Sequence, residues 1–387
     1  MYDEELTNLM IPGPVPIHPR VYRAMSRVIF GHRTPEYQNL YKESISLLQR
    51  LLQTEQDVLV FAGSGTAAME AAIANTLEPG ERVLNLVNGN FSERWTELTT
   101  TFGGTPVIQE YSYGQAVDPE RVREALASDA SLRIVTMCHN ETSTGVLNPA
   151  KEVGQIVRDY DRLFLVDGIT SVGGDYVFPD KWNFDMLVTG SQKCLGVPPG
   201  LGAIWVGSRA WQKIEKRKQP SPTFYLNLLK AKKRYDGFGD SPFTSAVSLM
   251  YGLHESLKIM FEEGYENRVE RHRRLGRITR AGYLGSGLEL LADPAHYSNT
   301  VTAVKYPSGI TDKEFRGQLQ NLGILVAGGQ GPVKGKIWRT NHMNICTERD
   351  VLSTLAIIEV VLKRLGYEFP LGSGVLAAQE QLLKEKV

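Results

Sequence analysis

A lysine at the exit of an apolar run is the first feature that could do chemistry. Met186-Leu187-Val188 is long enough for a short buried strand and empties into Thr189-Gly190-Ser191-Gln192-Lys193; the Gly/Pro-rich stretch beyond continues neither helix nor strand. Ligands bind outside the carboxyl ends of strands in open α/β sheets, so this placement makes Lys193 a candidate nucleophilic amine. A solvated turn lysine is the ordinary alternative. A second apolar run, Phe164-Leu165-Val166, ends in Asp167. A carboxylate buried there is costly unless a cation or strong donor meets it, and a protonated pyridinium nitrogen is one such donor; capping of the next segment is the alternative. Lys336-Ile337-Trp338-Arg339 presents an arginine whose planar fork suits a carboxylate, whether of a ligand or of a structural partner. Residues 58–62 run into Gly63-Ser64-Gly65-Thr66 and then an alanine-rich segment. A strand-to-helix turn of this kind gathers free N–H groups and the positive end of a helix into an anion site, or is only a tight connection. It has neither the lysine of a P-loop nor the Gly-x-Gly-x-x-Gly pattern, so a single phosphate suits it better than a nucleoside triphosphate or a dinucleotide.

A phosphate cradle, a strand-end aspartate, a strand-end lysine and a late arginine are together the parts of a pyridoxal phosphate site. The lysine makes a Schiff base, the aspartate keeps the ring nitrogen protonated, and the arginine holds a substrate carboxylate.

Strands must deliver these residues. β signals at 58–62, 82–87, 106–111, 134–138, 164–166, 186–189 and 203–206 alternate with helical stretches, among them 37–53 and 67–77. This alternation predicts an α/β fold with a mostly parallel sheet covered on both faces. Residues 10–20, rich in proline, can be neither helix nor central strand and must lie across something else. From 244 to 280 the pattern becomes one long, interrupted helical stretch with Leu249, Leu253, Leu257 and Met260 on one face. Strand signals at 300–305, 324–327 and 336–339, helical ones at 312–322 and 348–365, and a tail helix through Val375, Ala378 and Leu382 predict a small α+β unit. The expected division is an arm at 1–20, a large domain at 21–260 and a small domain at 261–387.

Composition narrows the partners. The 387 residues carry 43 basic and 43 acidic side chains with no run of like charge, so no electrostatic footprint for nucleic acid or an anionic membrane exists. A small polar or zwitterionic partner fits better. Cys138, Cys194 and Cys346 are odd in number and widely spaced, which gives neither a disulfide framework nor a metal-binding spacing and suits a reducing cytoplasm. Neither a leader-like start nor an apolar run of about eighteen residues is present, so a soluble, cytoplasmic protein is expected.

The order of the motifs carries a resemblance over nearly the whole chain. Ile11-Pro12-Gly13-Pro14, Gly31-His32-Arg33-Thr34-Pro35-Glu36, Gly63-Ser64-Gly65-Thr66, the run 139–145 (His-Asn-Glu-Thr-Ser-Thr-Gly), Val166-Asp167, the run 190–195 (Gly-Ser-Gln-Lys-Cys-Leu) and Gly335-Lys336-Ile337-Trp338-Arg339 resemble the class V aminotransferases of fold type I. Within them the chain is most similar to the alanine/serine–glyoxylate (serine–pyruvate) group and its archaeal, broad-specificity aspartate aminotransferase-like members. The resemblance implies a large domain with a seven-stranded, mostly parallel sheet, a smaller α+β C-terminal domain, pyridoxal 5′-phosphate as cofactor, and a homodimer with active sites at the subunit interface. It implies that Lys193 carries the cofactor and shuttles the substrate Cα proton, and that Asp167 pairs with the pyridine nitrogen. Ser64, Gly65, Thr66 and Gln192 would hold the phosphate, Thr142 would lie near the phenolic oxygen, and Phe91 would stack on the ring. Arg339 would bind the substrate α-carboxylate, with Gly13 also at the substrate. Thr244 from the neighbouring subunit would complete the phosphate site, beside Ser241 where some relatives have tyrosine. Arg339-Thr340-Asn341-His342-Met343-Asn344 departs from the usual Arg-Ile-Gly-His-Met-Gly.

The expected reaction moves an amino group between alanine, serine or aspartate and glyoxylate, pyruvate, oxaloacetate or 2-oxoglutarate. His32, Arg33 and Tyr225 are candidates for contacts to the substrate side chain. Cysteine desulfurases carry histidine just before the lysine, where this chain has Gln192, and Cys346 lacks their mobile nucleophile loop. Pyridoxamine–pyruvate aminotransferase has a second arginine where this chain has Gln330. A non-catalytic, cofactor-binding accessory subunit on the same scaffold is the remaining alternative.

Overall fold

The computed structural model describes residues 7–385, so residues 1–6 of the expected arm lie outside the described residues. Seven strands form the central sheet: β1 (Asp57–Ala62), β2 (Arg82–Val87), β3 (Thr105–Glu110), β4 (Leu132–Cys138), β5 (Leu163–Asp167), β6 (Met186–Gly190) and β7 (Leu201–Val206). Their spatial order is β1-β7-β6-β5-β4-β2-β3. Each lies where its apolar run predicted it. β7 runs antiparallel to both neighbours, β1 and β6, while the remaining pairs are parallel. All strands except β7 therefore finish at one edge of the sheet, which is where the fold gathers its chemistry.

Alternation along each strand feeds two cores. Val58, Val60, Leu84, Leu86, Phe164, Val166 and Leu187 enter one. Leu59, Val83, Ile134, Leu163, Leu165, Met186 and Val188 enter the other. The second face is covered by helix α2 (Gly65–Thr76), whose Ala68, Ala71, Ala72 and Ala74 are buried. Small side chains let this helix lie close on β6 and β7, and its apolar character all round suits a helix with no wet face. The first face is covered by α1 (Pro35–Leu52), among others, with Thr34 capping its first turn.

The expected single helical stretch over 244–280 is two helices, α4 (Val247–Glu263) and α5 (Tyr265–Gly285). The break is Gly264 at φ +85°, a conformation that glycine adopts without steric cost. The proposed domain division at 260/261 falls within α4, just before this break. The helix Leu228–Phe238, absent from the expected elements, buries only Leu228 fully and rests Ala231 and Tyr235 against the core on the same face.

A third core lies around a three-stranded antiparallel sheet of β8 (Val301–Lys305), β9 (Ala327–Gly328) and β10 (Ile337–Asn341), with β10 in the middle. The expected strand at 324–327 is split: Ile324–Leu325 instead pairs in parallel with Asn8–Leu9. Helices α6 (Asp312–Asn321), α7 (Glu348–Arg364) and α8 (Ser373–Lys384) complete this unit, the last being the expected tail helix. Trp338, fully buried, packs on Phe315, Tyr306 and Tyr283 with ring centroids 4.6, 5.0 and 5.8 Å away. Successive residues of a strand point to opposite faces, so anchoring Trp338 in this core aims Arg339 the other way, toward the large sheet. Among the described residues no helix is long and apolar enough to cross a membrane.

Candidate active site

The carboxyl ends of β1, β2, β4, β5 and β6 surround a cavity of about 270 Å³, at the small end for ligand pockets. Its wall includes Gly13, Gly65, Thr66, Phe91, Thr142, Asp167, Gln192 and Lys193. These residues come from six separate stretches of the sequence.

Lys193 stands just past β6 in a loop fixed by its own bonds. The Ser191 hydroxyl donates to the Pro198 carbonyl at 2.7 Å and accepts from the Leu201 amide at 3.1 Å, while the Gly196 amide donates to the Lys193 carbonyl at 2.9 Å. The lysine Nζ donates to the carbonyl of Pro12 in the N-terminal arm. Gly13 lies so close that a Cβ there would sit 2.7–2.8 Å from the end of the lysine chain, and its φ of +118° also requires glycine. Burial, reinforced by the positive Arg339 nearby, lowers the amine to about 8. The free amine is then far more populated at neutral pH than that of an ordinary lysine, while the ammonium form still dominates.

Asp167 ends β5 with 3% of its surface exposed. One carboxylate oxygen accepts from the Ile169 amide at 2.7 Å, and the other faces the Cys138 thiol at 3.7 Å. Burial outweighs these and raises the carboxyl to about 7. No basic side chain pairs with it among the described residues' ion pairs. It is an acid awaiting a cation.

Thr142 follows β4 and links two parts of the site. Its hydroxyl meets that of Thr170 at 2.6 Å, and its carbonyl accepts from Arg339 Nη1 at 3.1 Å. Arg339 also donates from Nε and Nη2 to the Gly328 carbonyl, at 3.0 and 2.8 Å. It is only 6% exposed, and burial lowers it to about 10. Backbone carbonyls are thus its partners rather than a carboxylate, which leaves its charge available to an anion.

Helix α2 opens at this cavity. The amides of Gly65 and Thr66, as its first two residues, have no partner within the helix. A Cβ on Gly65 would stand 2.5 Å from Ile169, so only glycine leaves the amides accessible. Gln192 Oε1 is buried without a partner. Ser64 occupies the N-cap position but is exposed and does not line the cavity.

Sequence reasoning missed several residues here. Arg94 lines the cavity, donates to the Thr66 hydroxyl at 2.9 Å and lies over the Phe91 ring at 5.2 Å. It follows Phe91 by three positions in α3 (Asn90–Thr101), so helical spacing was the available signal. Glu141 is fully buried and accepts from the Ser92 amide at 2.8 Å and the Ser143 hydroxyl at 2.6 Å, holding the start of α3 against the site. Thr170 and the Pro12 carbonyl had no sequence signal.

Other candidates lie elsewhere. Arg33 is committed to Asp240 at 2.8 Å and to the Pro242 carbonyl at 3.0 Å. Tyr225 stacks on Phe243 at 5.1 Å, and neither it nor His32 lines the cavity. Thr244 is exposed on the loop before α4, away from this chain's own cavity, between Tyr225 and the segment Ile29–His32. Cys138, Cys194 and Cys346 are all buried, so no mobile thiol is available.

Residues 21–343 match the family model described as "Aminotransferase class-V". The chain belongs to the class V aminotransferase family. It is 48% identical to an uncharacterized aminotransferase of Methanocaldococcus jannaschii over 97% of this chain and 98% of that one. It is 38% identical to a soluble hydrogenase 42 kDa subunit of Anabaena cylindrica, covering 96% and 97% of the two. The crystal structure of ureidoglycine-glyoxylate aminotransferase from Bacillus subtilis superimposes with a TM-score of 0.93 at 33% identity, over 97% of this chain and 98% of that chain. The fold is that of the fold type I aminotransferases, as the motif order implied.

Proposed function

We propose that this class V aminotransferase uses pyridoxal 5′-phosphate to exchange the amino group between a small amino acid and a 2-oxo acid, glyoxylate among the acceptors. The observation that carries the reading is one desolvated cavity holding an amine lowered to about 8 and an unpaired carboxyl, with a guanidinium beside it that lacks a carboxylate partner. The residues fit the cofactor: a glycine cradle at a helix N-terminus suits its phosphate, Asp167 its ring nitrogen, and Phe91 the face of its ring. When bound, it supplies an electron sink that makes the substrate Cα–H acidic.

Lys193 would hold the cofactor covalently and, once displaced, take the proton at its Nζ and return it. The Pro12 carbonyl orients that amine. Arg339 would bind the substrate carboxylate with its fork, and the Gly328 and Thr142 carbonyls fix the fork's plane. Thr142 would meet the phenolic oxygen, while Gly65, Thr66 and Gln192, with Ser64 alongside, would take the phosphate. Gly13 would border the substrate.

A homodimer is part of the proposal. Thr244 would reach the phosphate of the neighbouring subunit, and the exposed Val28, Ile29 and Phe224 near that segment support a subunit contact there. Alanine, serine and aspartate are the donors to try. A division into an arm at 1–20, a large cofactor-binding domain at 21–260 and a small domain at 261–387, cytoplasmic residence and the absence of nucleic-acid or membrane partners complete the reading.

The clamp gives the first test. Truncating one partner of a buried charge pair costs about 2–4 kcal/mol, so Arg339→Gln should lower kcat/KM by roughly 30- to 1,000-fold, mostly through KM. Steady-state kinetics with an amino acid and with its decarboxylated amine will check it; equal loss for both substrates would remove Arg339 from the carboxylate role.

The hydrogenase-subunit name of the Anabaena relative motivates a second reading, a subunit that holds the cofactor without turnover. Mixing the loaded protein with a panel of amino acids separates the two. The enzyme converts its absorption to that of the pyridoxamine form with at least one of them; the accessory subunit does so with none.

A further inference from the structure

Beyond the short strand Asn8–Leu9, the N-terminal arm runs past Lys193 with neither strand nor helix. Pro12, Pro14 and Pro16 have no N–H, so a backbone ladder cannot hold this stretch. Its outer end is fastened by Met10: the Met10 amide donates to Leu325 and the Met10 carbonyl accepts from the Asn341 amide, both at 2.8 Å. Asn341 adds a side-chain bond to the Leu9 carbonyl at 3.2 Å. At the inner end the Val15 amide donates to the Gln192 carbonyl at 3.1 Å, and Asn344 Nδ2 donates to the Pro16 carbonyl at 2.7 Å. Pro12 and Gly13, which touch the lysine, lie between these fastenings.

Asn344 is placed to do more than close the arm. Its φ of +59° is the left-handed region, which asparagine tolerates and glycine prefers. While Nδ2 serves the arm, Oδ1 accepts from Arg268 at 3.0 Å, and its amide donates to His272 Nε2 at 2.9 Å. Arg268 is buried, and it also donates to the carbonyl of Cys194 at 2.9 Å and of Gly173 at 2.8 Å. Cys194 is the neighbour of Lys193. One guanidinium therefore registers the lysine loop directly and the arm through one asparagine.

We propose that Asn344 is a positioning residue that holds arm residues 12–16 over Lys193, keeping the amine oriented and its surroundings dry. The inference rests on the reading that Lys193 is the reactive amine. That amine is faced by Arg339, Asp167, Cys138 and Cys194, so water admitted by a loosened arm would weaken the burial that lowers it.

Two variants separate the arm from the hub. Asn344→Gly suits the left-handed backbone and deletes the bonds to both Pro16 and Arg268. Asn344→Asp keeps an acceptor for Arg268 and loses the donor to Pro16. Hydrogen exchange in the cofactor-free protein should rise about three- to tenfold over residues 8–18 in both variants, with α2 unchanged. The pH midpoint for reaction of Lys193 with pyridoxal phosphate should move up from about 8 in both, and kcat should fall more than KM rises. The proposal is overturned if neither exchange nor midpoint moves, or if Asn344→Gly acts while Asn344→Asp behaves as wild type, which would confine the role to Arg268. If Lys193 carries no cofactor, the exchange result still decides whether Asn344 holds the arm.

Discussion

Lys193→Ala is expected to abolish amino transfer, with a loss of roughly 10⁵-fold or more in kcat, while the protein remains folded. The size follows from the two duties placed on one atom, since the same Nζ attaches the cofactor and moves the substrate proton. No neighbour can substitute: the other titratable groups around the site are Arg94, Arg339, Asp167 and buried thiols, none of them an amine. Folding should survive because the lysine chain already borders an open cavity, and its removal relieves the cost of burying an amine. Circular dichroism will check the fold and single-turnover spectra the chemistry. Retention of even a hundredth of wild-type kcat would place the reactive amine elsewhere.

Asp167→Asn is expected to cost on the order of 10²–10³-fold in kcat, the range for removing one fixed charge or dipole from a desolvated site. An amide fills the same space and can still accept from the Ile169 amide, so geometry is kept while the charge opposite the ring nitrogen is lost. Stability should respond in the opposite sense. In the cofactor-free protein burial raises this carboxyl to about 7, above its ordinary unfolded value of about 3.9. Between those values the folded state holds a proton that the unfolded chain has released, so this group's contribution is fully present below about pH 4 and is lost as pH rises through 7. Asparagine cannot ionise. The cofactor-free variant should therefore melt higher than wild type at pH 8, and the gap should close toward pH 4. Adding cofactor should invert the order at pH 8, because a ring N–H rewards the carboxylate more than the amide. Thermal melts at both pH values, with and without cofactor, will check this; a gap that ignores pH would mean that Asp167 is not the desolvated acid described.

Much of this architecture was legible in the sequence because most central strands announce themselves by an apolar run that ends in glycine or a polar residue. Lys193 and Asp167 could be placed at strand ends for that reason, and Arg339 on a short strand, whereas its direction appears only once Trp338 beside it is seen in the core. The missed parts depend on contacts between distant segments. Nothing in Pro12 predicts that its carbonyl meets Lys193, and nothing local in Thr170 predicts its bond to Thr142. The helix Leu228–Phe238 shows the core only a narrow stripe of Leu228, Ala231 and Tyr235 among lysines and an arginine, so it went unread. Arg33 illustrates the reverse error: an arginine inside a motif looks available to substrate until Asp240, more than two hundred residues away, is found beside it. Asn344 combines both lessons, since its left-handed backbone and its reach to Pro16 and Arg268 appear only once three segments are folded together.

Borohydride reduction of the pyridoxal phosphate-loaded protein, followed by peptide mapping, tests the central claim most directly. A reduced pyridoxyl group is expected on the peptide that contains Lys193 and on no other, absent from Lys193→Ala. A label on a different lysine with Lys193 unmodified, or one scattered over surface lysines, would contradict it.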